Sequence, residues 1–434
     1  MNYIKTTLLA AIIGLMPIVP ANAQSDKVLK EKNPEFFKTE EARRIGDQLL
    51  IWQRNTGGWP KNVDMVTPLS NQQREVIIKD KKVTDDSTID NGATTMQMNF
   101  LARLYQQTKD EHYREAFKKG VNYILDGQYE NGGWPQFWPT QRDYQVQITY
   151  NDDAIVNILT MMRDILNGKE QYAGLSDEKL NAQIEKSFKK GIECILNTQI
   201  KVDDTLTVWC QQHDRKTLYP TYARAYELPS YCSMESAAIV RFLMSLPHPD
   251  ERVRRSINSA MAWFEKNKIT GYRLVKIGKK GEPGADTRLV PDPKAGPLWA
   301  RFYDLLNCQP FVCDRDGMPR KHLSDIGPER RNGYSWYNDR PATLYEKYEK
   351  WKNKWEKSKK YAENLVSSKK LRTFAPAFGD NGWVQVENGS GFSAVGSAHV
   401  WGARGRWFES SNPDTKSERI ERFPRFFVLY SFRN

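Results

Sequence analysis

Apolar residues recur at spacings of three and four along most of the chain. In Ile89–Gln106 (IDNGATTMQMNFLARLYQ), Met98, Leu101, Leu104 and Tyr105 fall on one helical face. Lys118–Gln128 (KKGVNYILDGQ) and Lys189–Gln199 (KKGIECILNTQ) write one pattern twice, an apolar helix face running into the same turn. Three tryptophans keep the same beat: Trp59 in NTGGWPKN, Trp134 in ENGGWPQFWP and Trp209 in TLTVWCQQHD, 75 residues apart, twice. After each come a linker, a polar cluster and a second helical pattern: IDNGATTMQMNFLARLYQ, YNDDAIVNILTMMRDIL and SYCSMESAAIVRFLMSL. A weaker fourth helix, RVRRSINSAMAWFEKNKI, runs into TGYRL. Alternating strand patterns are scarce.

The repeat unit is therefore a helical hairpin of about 70 residues. Such hairpins either stack as an open solenoid or close into an α/α toroid. Closure would bring the equivalent polar clusters to one end, so the expected fold is all-α, an incomplete α/α toroid whose long loops form a groove. The glycine–tryptophan–proline turns read as structural, glycine supplying the bend and the indole capping a helix pair. Gly281–Pro297 reads as a long loop, Leu298–Leu306 as a return to helix, and EKYEKWKNKWEKSKKYAENL as a closing helix.

The N-terminus changes the compartment. Lys5, the apolar run Leu8–Val19 and Ala21-Asn22-Ala23 form the charged, apolar and small-residue regions of a secretory leader, cleaved between Ala23 and Gln24. Residues 1–23 are then removed, and the mature protein belongs in the periplasm or outside the cell. No later stretch is long and apolar enough to span a bilayer. The formal net charge of +12 and pI near 9.2 call for an acidic partner. Export argues against nucleic acid and leaves an acidic polysaccharide. The five cysteines show no C-x-x-C spacing, and the five histidines no H-E-x-x-H, which argues against a transition-metal enzyme. A Cys308–Cys313 bridge stays open as a possibility.

Asp90 and the Asp152-Asp153 pair each open a helical pattern beside an asparagine, Asn91 or Asn151. One such aspartate is most simply an N-cap. Two at matching places in a repeat suggest a shared carboxylate cluster, whose hard oxygens suit Ca²⁺. The third repeat offers cations instead: Arg224, with Glu227 three residues on, and His213, Arg215 and Lys216 before it; Arg301 and Arg315 follow. An exposed Arg224–Glu227 pair would be worth little. Carboxylates for a cation, and arginine forks for carboxylates, together suit a polyanionic substrate.

At these residues the chain resembles the pectate lyases of polysaccharide lyase family ten. The matching stretches are NTGGWPKN, IDNGAT, GGWPQFWP, TYNDDA, WCQQHD, ARAYELPS, LWARFYD and RNGYSWY, in the expected order from Phe36 to Trp355. The resemblance implies a toroid-like fold and cleavage of internal α-1,4 links in polygalacturonate by β-elimination. It implies Ca²⁺ at Asp90 and Asp152, with Asp153 the alternative to Asp152, and Asp90 also beside substrate. It implies Arg224 as the Brønsted base and Arg301 and Arg315 on uronate carboxylates, with Lys216 adding positive charge among them. A monomer free of membrane and nucleic acid is expected. Two rivals stand beside it: an inverting glycoside hydrolase using Asp90 and Asp152, and a pectin-binding protein without catalysis.

The resemblance stops near Trp355, and the lyase domain is expected to span residues 24–370. Residues 371–434 are Gly- and Ser-rich without helical period. They read either as a small β appendage or as frameshifted or read-through translation of neighbouring DNA; Phe408-Glu409-Ser410 is what TTC-GAA-TC, a string of transfer RNA T-arms, encodes. On the second reading, trimming after Lys370 leaves activity and melting temperature unchanged, and a large loss of either refutes it.

Overall fold

The computed structural model describes residues 21–278 and 282–355. Most of the expected leader, and the whole segment after residue 355, lie outside these. The helices are α1 (Ala21–Leu29), α2 (Glu40–Trp52), α3 (Asn71–Lys79), α4 (Thr95–Thr108), α5 (Glu111–Asp126), α6 (Ala154–Leu166), α7 (Glu178–Thr198), α8 (Ser233–Met244), α9 (Glu251–Lys266) and the short α10 (Pro328–Gly333). A last helix begins at residue 345. No described helix is long and apolar enough to cross a membrane.

The helices pack in two rows. α4, α6 and α8 lie side by side in one, and α2, α5, α7 and α9 form the other against them. The rows begin differently. Side chains of Thr39, Asp110, Asp177 and Asp250 cap α2, α5, α7 and α9 by accepting from backbone N–H groups. Thr94, Asp153 and Cys232, which precede α4, α6 and α8, make no such bond. The positive ends of three helix dipoles are thus left without a side-chain cap.

The tryptophan beat has a physical basis, and it has four members. Trp59, Trp134, Trp209 and Trp299 are all fully buried. Their indole N–H groups donate to Leu49, Ile124, Ile195 and Phe264 carbonyls at 2.9, 2.8, 2.7 and 2.8 Å. Each carbonyl lies in the last turn of α2, α5, α7 or α9, where intrahelical acceptors run short of donors, although Leu49 also accepts from the Gln53 N–H. A glutamine just past three of these helices ties the rows onward. Gln53 donates to Gly57 and to Ala116 of α5, Gln128 to Gly132 and Ser187 of α7, and Gln199 to Thr207 and Ser256 of α9. The hairpins are therefore stitched by buried hydrogen bonds as well as apolar contact.

The all-α expectation is wrong. The described residues include twelve short strands in five antiparallel sheets, so the architecture is mixed rather than an α/α toroid. The largest sheet runs Pro319–Arg320, Pro310–Cys313, Phe302–Tyr303, Tyr231–Cys232. Leu298–Leu306 is not a helix. Trp299–Ala300 pairs with Tyr337–Asn338, and Phe302–Tyr303 pairs with Pro310–Phe311 and with Tyr231–Cys232. Trp299, Ala300, Arg301, Phe302 and Tyr303 are all buried in succession while Leu306 is 96% exposed, which no helical face could produce. The Gly281–Pro297 loop holds the strand Asp286–Pro291, paired with Tyr272–Ile277. All five cysteines are free, so Cys308 and Cys313 form no bridge.

Two glycines separate backbone conformation from space. Gly132, at φ +90°, abuts the neighbouring helix so closely that a Cβ would collide with the Lys190 carbonyl oxygen. Gly168, at φ +67°, has open space around it. Gly168→Ala is expected to cost about 1 kcal/mol for the left-handed backbone alone, and Gly132→Ala at least about 2 kcal/mol more. Thermal melts of the two variants measure the difference; equal losses would mean that the close approach is not a constraint.

Candidate active site

Two tight turns, Asp90–Gly92 and Asn151–Asp153, lead into α4 and α6 and pack on one another. Each contains two consecutive left-handed residues, Asn91 and Gly92 at φ 53° and 76°, and Asp152 and Asp153 at φ 50° and 61°. Asn and Asp tolerate that conformation better than most residues. The backbone register therefore equates Asn91 with Asp152 and Asp90 with Asn151. Asp90 and Asp152 are offset by one residue, not equivalent as the sequence suggested. Neither turn uses its aspartates as side-chain caps, so simple capping does not explain them.

Asp90 is 3% exposed and pairs through Oδ2 with the Lys61 ammonium, which also lies 5.3 Å from the Phe137 ring centre. Its buried Oδ1 has no hydrogen-bond partner. Asp152 accepts from Asn151 Nδ2 at 2.8 Å. Burial raises its pKa to about 6; Arg301 pulls it down, and Asp90 and Glu235 push it up. Burial also raises the Asp153 carboxyl, opposed by Arg340, whose Nη1 donates to it at 2.9 Å. Asp90 thus acts electrostatically on Asp152 while both lie at the ends of neighbouring helices.

Arg301 stands elsewhere than expected. It is 4% exposed, and its Nη2 donates to Asn151 Oδ1 at 2.8 Å and to Glu235 of α8. Its guanidinium lies 4.5 Å from the Tyr334 ring centre. Through Nη2 it braces α8 against the turn that carries Asp152.

Arg224 is accessible, with 42% of its side chain exposed. Its Nε donates to Glu227 Oε2 at 2.7 Å and its Nη2 to Glu227 Oε1. Glu227 is 2% exposed and also accepts from the Tyr334 hydroxyl at 2.7 Å. This is no loose surface pair, contrary to the simplest sequence reading. Burial lowers the Arg224 pKa, but the two bonds and the charge of Glu227 outweigh it and leave it raised. Burial raises the Tyr144 hydroxyl pKa, which Arg224 lowers while Glu227 and Asp90 raise it. Tyr144 therefore lies in the combined field of the arginine and carboxylate ends.

Arg315 is 67% exposed and pairs with Glu329 at 3.1 Å, beside Arg330, which covers the Tyr226 ring at 4.5 Å. Lys216 sits in an exposed turn that Asp214 organises by accepting from the Lys216 and Thr217 N–H groups. His213 is fully buried between the Leu218 carbonyl and the Cys210 N–H, and burial lowers its pKa to about 4. It is a neutral pin for this loop, not a cation for substrate. Sequence reasoning missed Lys61, Glu235, Tyr334 and Arg340. Arg340 had a usable signal: Tyr337-Asn338-Asp339-Arg340 repeats Tyr150-Asn151-Asp152-Asp153 with arginine in the last place.

Among the described residues, no group of three or more His, Cys, Asp or Glu side chains could hold a metal ion. Asp90 and Asp152 offer two oxygen donors, one with an unpartnered buried oxygen, and Ca²⁺ takes six to eight. The chain thus offers part of a calcium shell, not a cage.

The site thus sets a buried Asp90 and half-buried Asp152 and Asp153 at one end and an accessible arginine at the other. A profile of the pectic acid lyase family matches residues 53–345, and the chain belongs to that family; it is a polysaccharide lyase. A family 10 polysaccharide lyase from Cellvibrio cellulosa is similar over 76% of this chain and 96% of its own, at 29% identity and a TM-score of 0.64. A mutant of a family 10 lyase from the same organism, in complex with trigalacturonic acid, is similar at 29% identity and a TM-score of 0.64, over 76% and 97% of the two chains. No curated protein sequence matches the chain.

Proposed function

We propose that the protein is a calcium-assisted pectate lyase that cuts internal α-1,4 links of polygalacturonate and leaves 4,5-unsaturated ends. The observation that carries this reading is the accessible Arg224 sharing one electrostatic field with the buried Asp90 and the half-buried Asp152. Family membership and the trigalacturonic acid bound to a similar lyase support the substrate. The net charge of +12 fits a polyanion, and the leader pattern fits export to the periplasm or beyond as a monomer.

In this reading Asp90 and Asp152, with Asp153 the alternative to Asp152, supply protein oxygens to a calcium ion completed by uronate carboxylates and water. Bound there, the ion would offset the negative charge that develops beside the uronate carboxylate. Lys61 already provides positive charge at Asp90. Arg315 and Lys216, on exposed turns, take neighbouring carboxylates and fix the register of the chain. Arg224, once neutral, accepts the C5 proton. The C5–H electrons form the C4=C5 bond, the bond from C4 to the bridging oxygen breaks, and water protonates that oxygen. Because Glu227 favours the charged arginine, the rate rises toward alkaline pH. Neutral sugars lack the carboxylate that makes the C5 proton removable.

The test is ultraviolet absorbance of the conjugated uronate during incubation with polygalacturonate, with calcium and with chelator. The expected result is a calcium-dependent rise that falls on the order of a thousandfold in Arg224→Ala. Chain cleavage without absorbance would hand the protein to the hydrolase reading. Binding without cleavage would hand it to the non-catalytic one.

A further inference from the structure

A neutral guanidine can carry its lone pair on any of three nitrogens, and only one placement puts it toward the substrate. The bonds around Arg224 choose between them. Its Nε and Nη2 both donate to Glu227, and its backbone N–H donates to the same carboxylate at 3.1 Å. Among the described residues, Nη1 has no hydrogen-bond partner. We propose that Glu227 is the positioning residue that selects Nη1 of Arg224 as the nitrogen that meets the C5 proton. The inference rests on Arg224 being the base.

Loss of a proton from Nε would break one bond to Glu227, and loss from Nη2 would weaken the other. Loss from Nη1 leaves both intact and places the lone pair farthest from the carboxylate charge. The logic is that of a carboxylate fixing a catalytic histidine tautomer. Glu227 is itself held: it is 2% exposed, and Tyr334 donates to it at 2.7 Å. The guanidinium also packs against two rings that meet edge to face, 4.9 Å from the Tyr226 centre and 5.7 Å from that of Tyr334. Besides Glu227, the titratable and charged groups that face it include Tyr226 on its own loop, Tyr144, Tyr334, Arg330 and Asp152. Of the groups named, Glu227 alone takes two of its nitrogens.

In the step itself, a proton first passes from Nη1 to hydroxide. Nη1 then takes the C5 proton, the electrons pass into the C4=C5 bond, and the leaving oxygen is protonated by water. The guanidinium is restored and must lose a proton again for the next turnover. Glutamine at 227 presents one acceptor and one donor to two N–H groups. It therefore favours a lone pair on Nε or Nη2, facing away from substrate.

The experiment is kcat and KM across pH for the full-length wild type, Glu227→Gln, Glu227→Asp and Arg224→Ala on polygalacturonate with calcium. Glu227→Gln is expected to lose kcat by a factor on the order of 10² to 10⁴, with KM within about threefold, as for a misdirected base. Its remaining activity begins to rise at lower pH than the wild type, because the carboxylate that keeps Arg224 charged is gone. Glu227→Asp keeps the charge and is expected to lose only about tenfold with the pH profile in place. Should the glutamine variant not fold, the aspartate variant decides: an unchanged kcat overturns the inference. A glutamine variant with near wild-type kcat, or a loss with the pH profile unmoved, also overturns it. Activity surviving in Arg224→Ala overturns instead the assignment of the base.

Discussion

One buried guanidinium organises the site. Arg301 lies between two two-residue strands, its N–H donating to the Trp336 carbonyl at 2.6 Å and its carbonyl accepting from Ser233 at 3.0 Å. From there its side chain reaches Glu235 and Asn151. A paired buried charge adds little net stability, but removing one partner costs about 3–5 kcal/mol because the other is left stranded. The pair thus acts as a constraint. It fixes the turn before α6 against α8, and with it the carboxylate of Asp152.

The surroundings follow from that constraint. α4, α6 and α8 begin without side-chain caps, so their dipoles are free to favour the negative charge gathered in front of them. The carboxylates still repel one another. Asp90 and Glu235 raise Asp152 against the pull of Arg301, and Lys61 and Arg340 answer Asp90 and Asp153. The site therefore holds a near-balance of charges, which in the proposed reading a divalent cation and a polyanion would enter together.

Much of the fold could be read from the chain because its repeat is enforced by a repeated bond. Each tryptophan satisfies a helix-end carbonyl, and the glutamines after α2, α5 and α7 stitch to the next hairpin, so both recur in sequence. The strands could not be read. Pairs such as Trp299–Ala300 and Phe302–Tyr303 are too short for period-two alternation, and LWARFYDLL imitates a helical face. The aspartates were visible, and so was their one-residue offset once Asp90-Asn91-Gly92-Ala93 is set against Asn151-Asp152-Asp153-Ala154; the left-handed pairs Asn91-Gly92 and Asp152-Asp153 bear that register out. Arg301 looked like a surface ligand because nothing in its neighbours announced Glu235, 66 residues earlier, as its partner.

The most direct measurement is calorimetric titration of the protein with calcium at pH 6 and pH 8, with and without trigalacturonate. Two protein carboxylates predict weak binding alone and at least about tenfold tighter binding when the ligand's carboxylates complete the shell. Because Asp152 titrates near 6, binding at pH 6 should release protons and binding at pH 8 should not. Asp152→Asn should abolish both the coupling and the proton release. Calcium affinity that ignores trigalacturonate, or that survives Asp152→Asn unchanged, would contradict a shared ion held by these residues.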